Sequence, residues 1–170
     1  MIKKIDFLSI PIDTLTMHET LIKIESCIDA KQHIHHSVVN AGKIVLMQKD
    51  KILEKSVLEA DLISPDGQAI VWAARFLGKY LPERVAGIDL MENLVEKSFK
   101  QGYKCFFFGA KEKVIAKLVN KYSKRYSANI IAGYRNGFYN SDDEKEIVKK
   151  IVSSRANILF VGMSSPKKEI

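Results

Sequence analysis

Residues 60–90 read ADLISPDGQAIVWAARFLGKYLPERVAGIDL. Leu62, Ile63 and Ser64 suit a short buried strand. Pro65-Asp66-Gly67 follows as a turn: proline fixes φ, the aspartate can fold its carboxylate onto nearby backbone N–H groups, and glycine takes φ values that other residues avoid. A helix is predicted directly after it, because Ile70, Ala73, Ala74 and Leu77 fall at i, i+3, i+4 and i+7 on one apolar face. Gly78 stands where a C-cap glycine would, and Pro82 blocks continuation. Asp66 thus lies at the end of a strand and the start of a helix, the place where open α/β sheets bind ligands. Polar Glu83-Arg84 and Gly87-Ile88-Asp89 return before the next helix.

Outward from this stretch, strand and helix patterns alternate. Upstream, Lys4 to Ile10 has the look of a strand, and Thr16-Met-His-Glu19 matches a capping box opening a helix through Leu21, Ile24 and Ile28. Ser37 to Val39 forms a short strand ending at Asn40, and Ala41 to about Ala60 is helical with a break near Asp50. Downstream, Ile88 to Gln101 is a helix stopped by Gly102. Lys104 to Phe108 is an apolar run of the kind buried on both faces, ending at Gly109. A helix over Lys111 to Arg125, a strand over Asn129 to Ala132, a second capping box at Ser141-Asp-Asp-Glu144 and a last strand over Asn157 to Val161, ending at Gly162, complete the series. Such alternation predicts an α/β fold: one domain, a mostly parallel sheet and helices on both faces, Rossmann-like in architecture. No linker, repeat or low-complexity tract interrupts it.

The 170 residues are enough for one domain with its own core, and 46% hydrophobic with 28% charged residues is an ordinary globular composition. No apolar run reaches the ~18 residues needed to span a bilayer. The N-terminal MIKKIDFLSIPID is a poor signal peptide. Cys27 and Cys105 belong to no C-x-x-C pair, so buried, reduced thiols and a cytoplasmic setting are expected. The net charge of +7 favours a polyanionic partner: nucleic acid, an anionic membrane surface or a phosphorylated substrate.

The strand ends share a chemistry. Asn40, Pro65-Asp66-Gly67, Gly109 and Gly162 are small or polar, and parallel strands would set them on one edge, where glycine admits close backbone approach and helix N-termini favour anions. Each glycine also has a plainer reading as a tight βα turn. Asp66 reads either as an N-cap or as a general base taking a proton from a hydroxyl nucleophile. Arg84 reads either as half of a surface pair with Glu83 or as a bidentate ligand for a diphosphate. The segment from Gly162 to Glu169, GMSSPKKE, reads either as a set of backbone N–H groups and positive charge, with Lys167 and Lys168, suited to phosphate, or as a loop that is simply polar. The glycine-rich fingerprints of dinucleotide and P-loop sites are missing, as is the nucleophile elbow. His33 and His35 lack the matched carboxylates or thiols of a metal site.

Taken together, SPDGQAIVWAARFLG, PERVAGIDL, KCFFFGAKEKV, GYRNGFYN and ILFVGMSSPKKE resemble the WecG/TagA/CpsF family of bacterial glycosyltransferases, from about Ile5 to the last residue. The resemblance implies transfer of a sugar from a UDP-sugar to a lipid-linked saccharide, typically on undecaprenyl diphosphate, in cell-wall or surface polysaccharide synthesis. It implies Asp66 as the catalytic base and Arg84 at the active site. Asn40, Gly67, Gly109, Gly137, Gly162, Ser165, Lys168 and Glu169 are the accompanying substrate-binding positions. The mechanism implied is an inverting single displacement with no cofactor. No D-x-D triplet sits at a strand end, so metal-independent transfer is expected, with Arg84 and a lysine such as Lys168 balancing the leaving diphosphate.

Two positions depart from the family pattern. Val38 stands where the teichoic-acid branch has threonine, and Lys168 replaces the glutamine of SPKQE, so the donor is left as a hexose or an N-acetylhexosamine. Members of the family usually continue into a basic amphipathic segment. The expectation is therefore a catalytic domain over residues 1–170 lacking a C-terminal membrane-contacting segment, peripheral at the inner face of the cell membrane and possibly homo-oligomeric. A basic α/β nucleic-acid-binding module is the alternative; it gives Asp66 no role, and no nucleic-acid partner is expected.

Overall fold

The computed structural model describes residues 3–165. They form two compact units, residues 3–90 and residues 91–165. The boundary falls within a helix rather than a linker, which is why composition does not mark it.

In the first unit, β1 (Lys4–Phe7) and β2 (Ile10–Asp13) pair antiparallel. Here the sequence reading needs correction, since the strand expected to end at Ile10 is a hairpin. It turns through Leu8 and Ser9, whose φ angles are 53° and 65°. Hairpin turns in this region usually carry Asn or Gly, so nothing in the sequence announced it. Thr16 opens α1 (Met17–Asp29) with the expected capping box: its Oγ1 accepts from the Glu19 N–H at 3.2 Å, and its own N–H donates to Glu19 Oε2 at 2.8 Å. β3 (His36–Val39) and β4 (Leu62–Pro65) are parallel. They are joined by α2 (Ala41–Met47) and α3 (Lys51–Leu58), which part at Asp50, whose carboxylate accepts from the Ile52 and Leu53 N–H groups at 3.0 Å each. α4 (Gln68–Phe76) follows β4. Ile12, Val39, Met47, Val57, Ile63 and Ala74 meet in one buried core. Asp13 is buried beside it. Its Oδ2 accepts from the Ile63 N–H at 2.7 Å and lies 3.5 Å from Lys4 Nζ, and its Oδ1 has no partner among the described residues.

α5 (Gly87–Gln101) begins in the first unit and continues in the second. There, β5 (Cys105–Gly109) is the central strand of a parallel sheet, between β6 (Ile131–Arg135) and β7 (Ile158–Gly162). All five β5 residues are buried, as an apolar run covered on both faces should be. On one face Phe107 stacks with Tyr122 of α6 (Glu112–Arg125) and with Phe160. On the other, Phe106 and Phe108 pack with Ile147 and Ile151 of α7 (Glu144–Ser153). The cap before α7 differs from expectation, since Asn140 N–H donates to Asp143 Oδ2 at 3.1 Å, one residue ahead of the predicted box. The architecture is α/β, with parallel strands and helices on both faces. Among the described residues no helix is long and apolar enough to cross a membrane.

Candidate functional site

The rim of the first unit is assembled by backbone hydrogen bonds at the ends of β3 and β4. The Asp66 N–H donates to the Val39 carbonyl at 2.8 Å. This bond carries the ladder one step past β4 and sets Asp66 beside Asn40. A Cβ built on Gly67 would lie 3.7 Å from Asn40 Cβ, so these two residues also adjoin. The Val85 N–H donates to the Pro65 carbonyl at 2.8 Å. Arg84 and Asp66 are therefore each one residue from the same bond. Asp66 is partly buried, whereas Asn40 and Arg84 are exposed. The backbone thus sets Asn40, Asp66 and Arg84 along one strand edge.

Local chemistry fixes each of them. Gly67, not Asp66, holds the N-cap position of α4. Asn40 caps α2: its Oδ1 accepts from the Lys43 N–H at 2.9 Å. The same side chain keeps an N–H₂ group that can donate elsewhere. Glu83 and Arg84 do not pair with each other. Glu83 accepts from the Met17 N–H at 2.6 Å, while Arg84 Nη2 meets Asp89 Oδ2 at 2.6 Å in the first turn of α5. Beneath the rim, His36 Nε2 lies 2.9 Å from Ser64 Oγ, and burial pushes the imidazole down to about 4.

The second unit has a glycine rim of its own. Gly109 and Gly162 are register partners at the ends of β5 and β7. Gly109 has φ 131°, and a Cβ there would sit 2.3 Å from the Gly162 carbonyl oxygen, so no other residue fits. Ala110 N–H donates to that carbonyl at 2.9 Å, and Gly137 N–H donates to the Ala110 carbonyl at 2.9 Å. A Cβ on Gly137 would lie 3.0 Å from Gly109 Cα. The structure therefore brings Gly109, Gly137 and Gly162 together. Ser165 lies in the turn beyond β7. Lys168 and Glu169 lie outside the described residues.

Sequence reading passed over one feature of this unit. A cavity of about 350 Å³ is lined by Glu112, Gly133, Tyr134, Arg135 and Lys150. Arg135 Nη1 reaches the Asn136 and Phe138 carbonyls at 3.4 Å, and Asn136 Nδ2 donates to Glu112 Oε2 at 2.7 Å. The polar run YRN in the GYRNGFYN segment was the available signal.

Residues 5–170, which include both rims, match the Glycosyl transferase WecG/TagA/CpsF family. The chain belongs to that family. Among its curated relatives is the N-acetylglucosaminyldiphosphoundecaprenol N-acetyl-beta-D-mannosaminyltransferase of Bacillus spizizenii (strain ATCC 23059 / NRRL B-14472 / W23). The two are 34% identical over 116 residues, which is 68% of this chain and 44% of the relative. The match thus spans less than half of the relative's length. Within this WecG/TagA/CpsF member, Asn40, Asp66 and Arg84 occupy one strand edge, and the glycines of the later motifs occupy another.

Proposed function

We propose that the protein is an inverting glycosyltransferase that moves a hexose or N-acetylhexosamine from a UDP-sugar to an undecaprenyl-diphosphate-linked saccharide in cell-wall or surface polysaccharide synthesis. The observation that carries this reading is the position of Asp66 at the end of β4, where its backbone N–H is bonded to the Val39 carbonyl and Asn40 and Arg84 lie along the same strand edge. The relative's printed name supplies the chemical class of acceptor, a sugar on diphosphoundecaprenol, and of the transferred group, N-acetylmannosaminyl.

In this reading Asp66 takes the proton of an acceptor hydroxyl. The oxygen attacks C1 of the donor sugar, the bond from C1 to the diphosphate oxygen breaks, and UDP leaves with the electron pair. One displacement inverts C1. Arg84 stabilises the charge growing on the diphosphate, since a guanidinium binds phosphate oxygens through parallel hydrogen bonds. Asn40 donates its free N–H₂ to substrate. The backbone at Gly109, Gly137 and Gly162 admits close approach of phosphates, with Ser165, Lys168 and Glu169 as further binding residues. Transfer proceeds without a metal, and activity that EDTA abolishes and Mg²⁺ restores would contradict this.

Val38 bears on the donor. It shares a strand face with His36, and a Cβ on Gly87 would meet its methyls at 3.6 and 3.7 Å. A valine there offers no hydrogen bond to a sugar substituent. The test is a panel of UDP-sugars scored for protection against thermal unfolding and then for turnover with a lipid-linked acceptor. Protection by one UDP-sugar and transfer from it support the proposal; a panel with no protection overturns it.

A further inference from the structure

The loop that carries Gly137 is attached around the start of α6 at two points. One is backbone: the Gly137 N–H donates to the Ala110 carbonyl at 2.9 Å. The other is a side-chain bond, from Asn136 Nδ2 to Glu112 Oε2 at 2.7 Å. The same carboxamide turns back on its own loop, since its Oδ1 accepts from the Phe138 N–H at 3.0 Å. Both ends of the Asn136 amide are therefore committed. Chemistry fixes which end goes where, because a backbone N–H can only donate and a carboxylate can only accept.

Two attachments do what one cannot. A single bond at Ala110 leaves residues 136–138 free to pivot about it. A second bond two residues along, at Glu112, removes that rotation. α6 is a firm base for it, because Ile115 and Tyr122 are buried beneath the helix. Close packing at the rim follows: a Cβ on Gly137 would stand 3.0 Å from Gly109 Cα and 2.9 Å from Met163 Cγ. Arg135 adds little, its Nη1 lying 3.4 Å from the Asn136 and Phe138 carbonyls. The Asn136–Glu112 bond is exposed. It competes with water and so adds only modestly to the stability of the fold. Its consequence is local, in the placing of the backbone groups of the glycine rim.

We propose that Asn136 and Glu112 are positioning residues: the bond between them fixes residues 136–138 against Ala110 and so sets how tightly the glycine rim holds the diphosphate of a nucleotide donor. The loop half of this statement stands on the bonds around Asn136, whereas the donor half rests on the proposed function.

The experiment reads variants of the full chain in two ways, by amide exchange at Gly137 and Phe138 and by UDP binding in a calorimeter. Asn136→Ala and Glu112→Ala should each speed exchange of the Gly137 amide about tenfold and weaken UDP about five- to tenfold, as the loss of one charge-assisted hydrogen bond implies. The KM for a UDP-sugar rises by a like factor with kcat held within about twofold, because neither residue touches the reacting atoms. The two changes combined add nothing to either alone. Glu112→Gln keeps an acceptor for Asn136 and stays within about threefold of the parent. Asn136→Asp sets two carboxylates together and is the weakest binder. Adding Glu112→Gln to it restores affinity, since the glutamine amide then donates to the aspartate. That exchange of donor and acceptor recovers the bond without recovering either side chain. Circular dichroism and the thermal midpoint check that each variant is folded.

An Asn136→Ala chain with the Gly137 exchange and UDP affinity of the parent overturns the inference. So does a swapped pair that binds no better than Asn136→Asp alone. If UDP does not bind the parent chain, the transferase reading and the donor half fall together, and the exchange rates still decide the loop half. If UDP binds and the variants change exchange but not affinity, the donor half falls and the transferase reading stands.

Discussion

Arg84 Nη2 and Asp89 Oδ2 stand 2.6 Å apart, each residue about half exposed, at the point where the chain leaves the Asp66 rim and enters α5. An exposed pair of this kind contributes little to stability. Its effect is on direction: one edge of the guanidinium is held by Asp89, so the other faces one way.

A diphosphate should therefore feel both residues, and differently. Arg84→Ala removes the charge and is expected to raise the KM for the UDP-sugar roughly 10- to 100-fold while also lowering kcat, as loss of charge-assisted hydrogen bonds implies. Asp89→Asn keeps the guanidinium but frees it, and should raise KM about three- to tenfold with kcat unchanged. Steady-state kinetics on both variants checks the split; an Asp89→Asn enzyme with unaltered KM would remove Asp89 from the account.

Asn40 has two jobs that substitution can separate. Its Oδ1 caps α2 through the Lys43 N–H. Asn40→Asp keeps that acceptor and should change stability by less than about 0.5 kcal/mol, whereas Asn40→Ala should cost about 1 kcal/mol. Both lose the N–H₂ donor, so both should lose activity, on the order of tenfold or more. Urea unfolding and turnover measured together test this; a fully active Asn40→Asp enzyme would leave Asn40 with only its capping role.

Gly109 and Gly162 differ although both end strands. A methyl on Gly109 would meet the Gly162 carbonyl at 2.3 Å, with φ at 131°. Gly109→Ala should destabilise by more than about 3 kcal/mol. Around Gly162 the nearest atom to an added Cβ is the Phe108 carbonyl at 3.9 Å, so Gly162→Ala should cost less than about 1 kcal/mol. Denaturation midpoints of the two variants give the comparison.

Stability should also depend on pH through His36. Burial lowers its folded pKa to about 4 from an ordinary 6.5, with His35 and Lys43 adding repulsion. Between those values the unfolded chain binds the proton more readily. The contribution is full above about pH 6.5 and is lost as pH falls toward about 4, amounting to roughly 3 kcal/mol at most. Asp13 acts in the opposite sense lower down, because burial raises its carboxyl group. His36→Gln should flatten the slope of unfolding free energy between pH 7 and 5; an unchanged slope would contradict the assignment.

The parts of the fold written in local chemistry were legible in the sequence. Alternating β and α patterns gave the parallel architecture, Thr16 and Glu19 gave the start of α1, and Asp50 gave the break between α2 and α3. What escaped depended on distant partners or on unusual backbone. Leu8 and Ser9 turn the first hairpin without a glycine. Asp13, to which the sequence reading gave no role, is a buried strand end holding Ile63 across 50 positions of sequence. Glu83 and Arg84 looked like a pair, yet each is claimed by a different helix. The strand-end reading placed Asn40, Asp66 and Gly109 at the ends of strands, and the structure has them at the ends of β3, β4 and β5. That reading did not find the Arg135 cavity, whose walls come from three separate elements, α6, β6 and α7.

The most direct measurement concerns Asp66 itself. Asp66→Asn removes a base but preserves shape, so UDP-sugar binding by calorimetry should stay within about threefold of the parent while kcat falls by about 10² to 10⁴. Turnover close to that of the parent would show that the proton goes elsewhere, and the account of this carboxylate as the general base would be wrong.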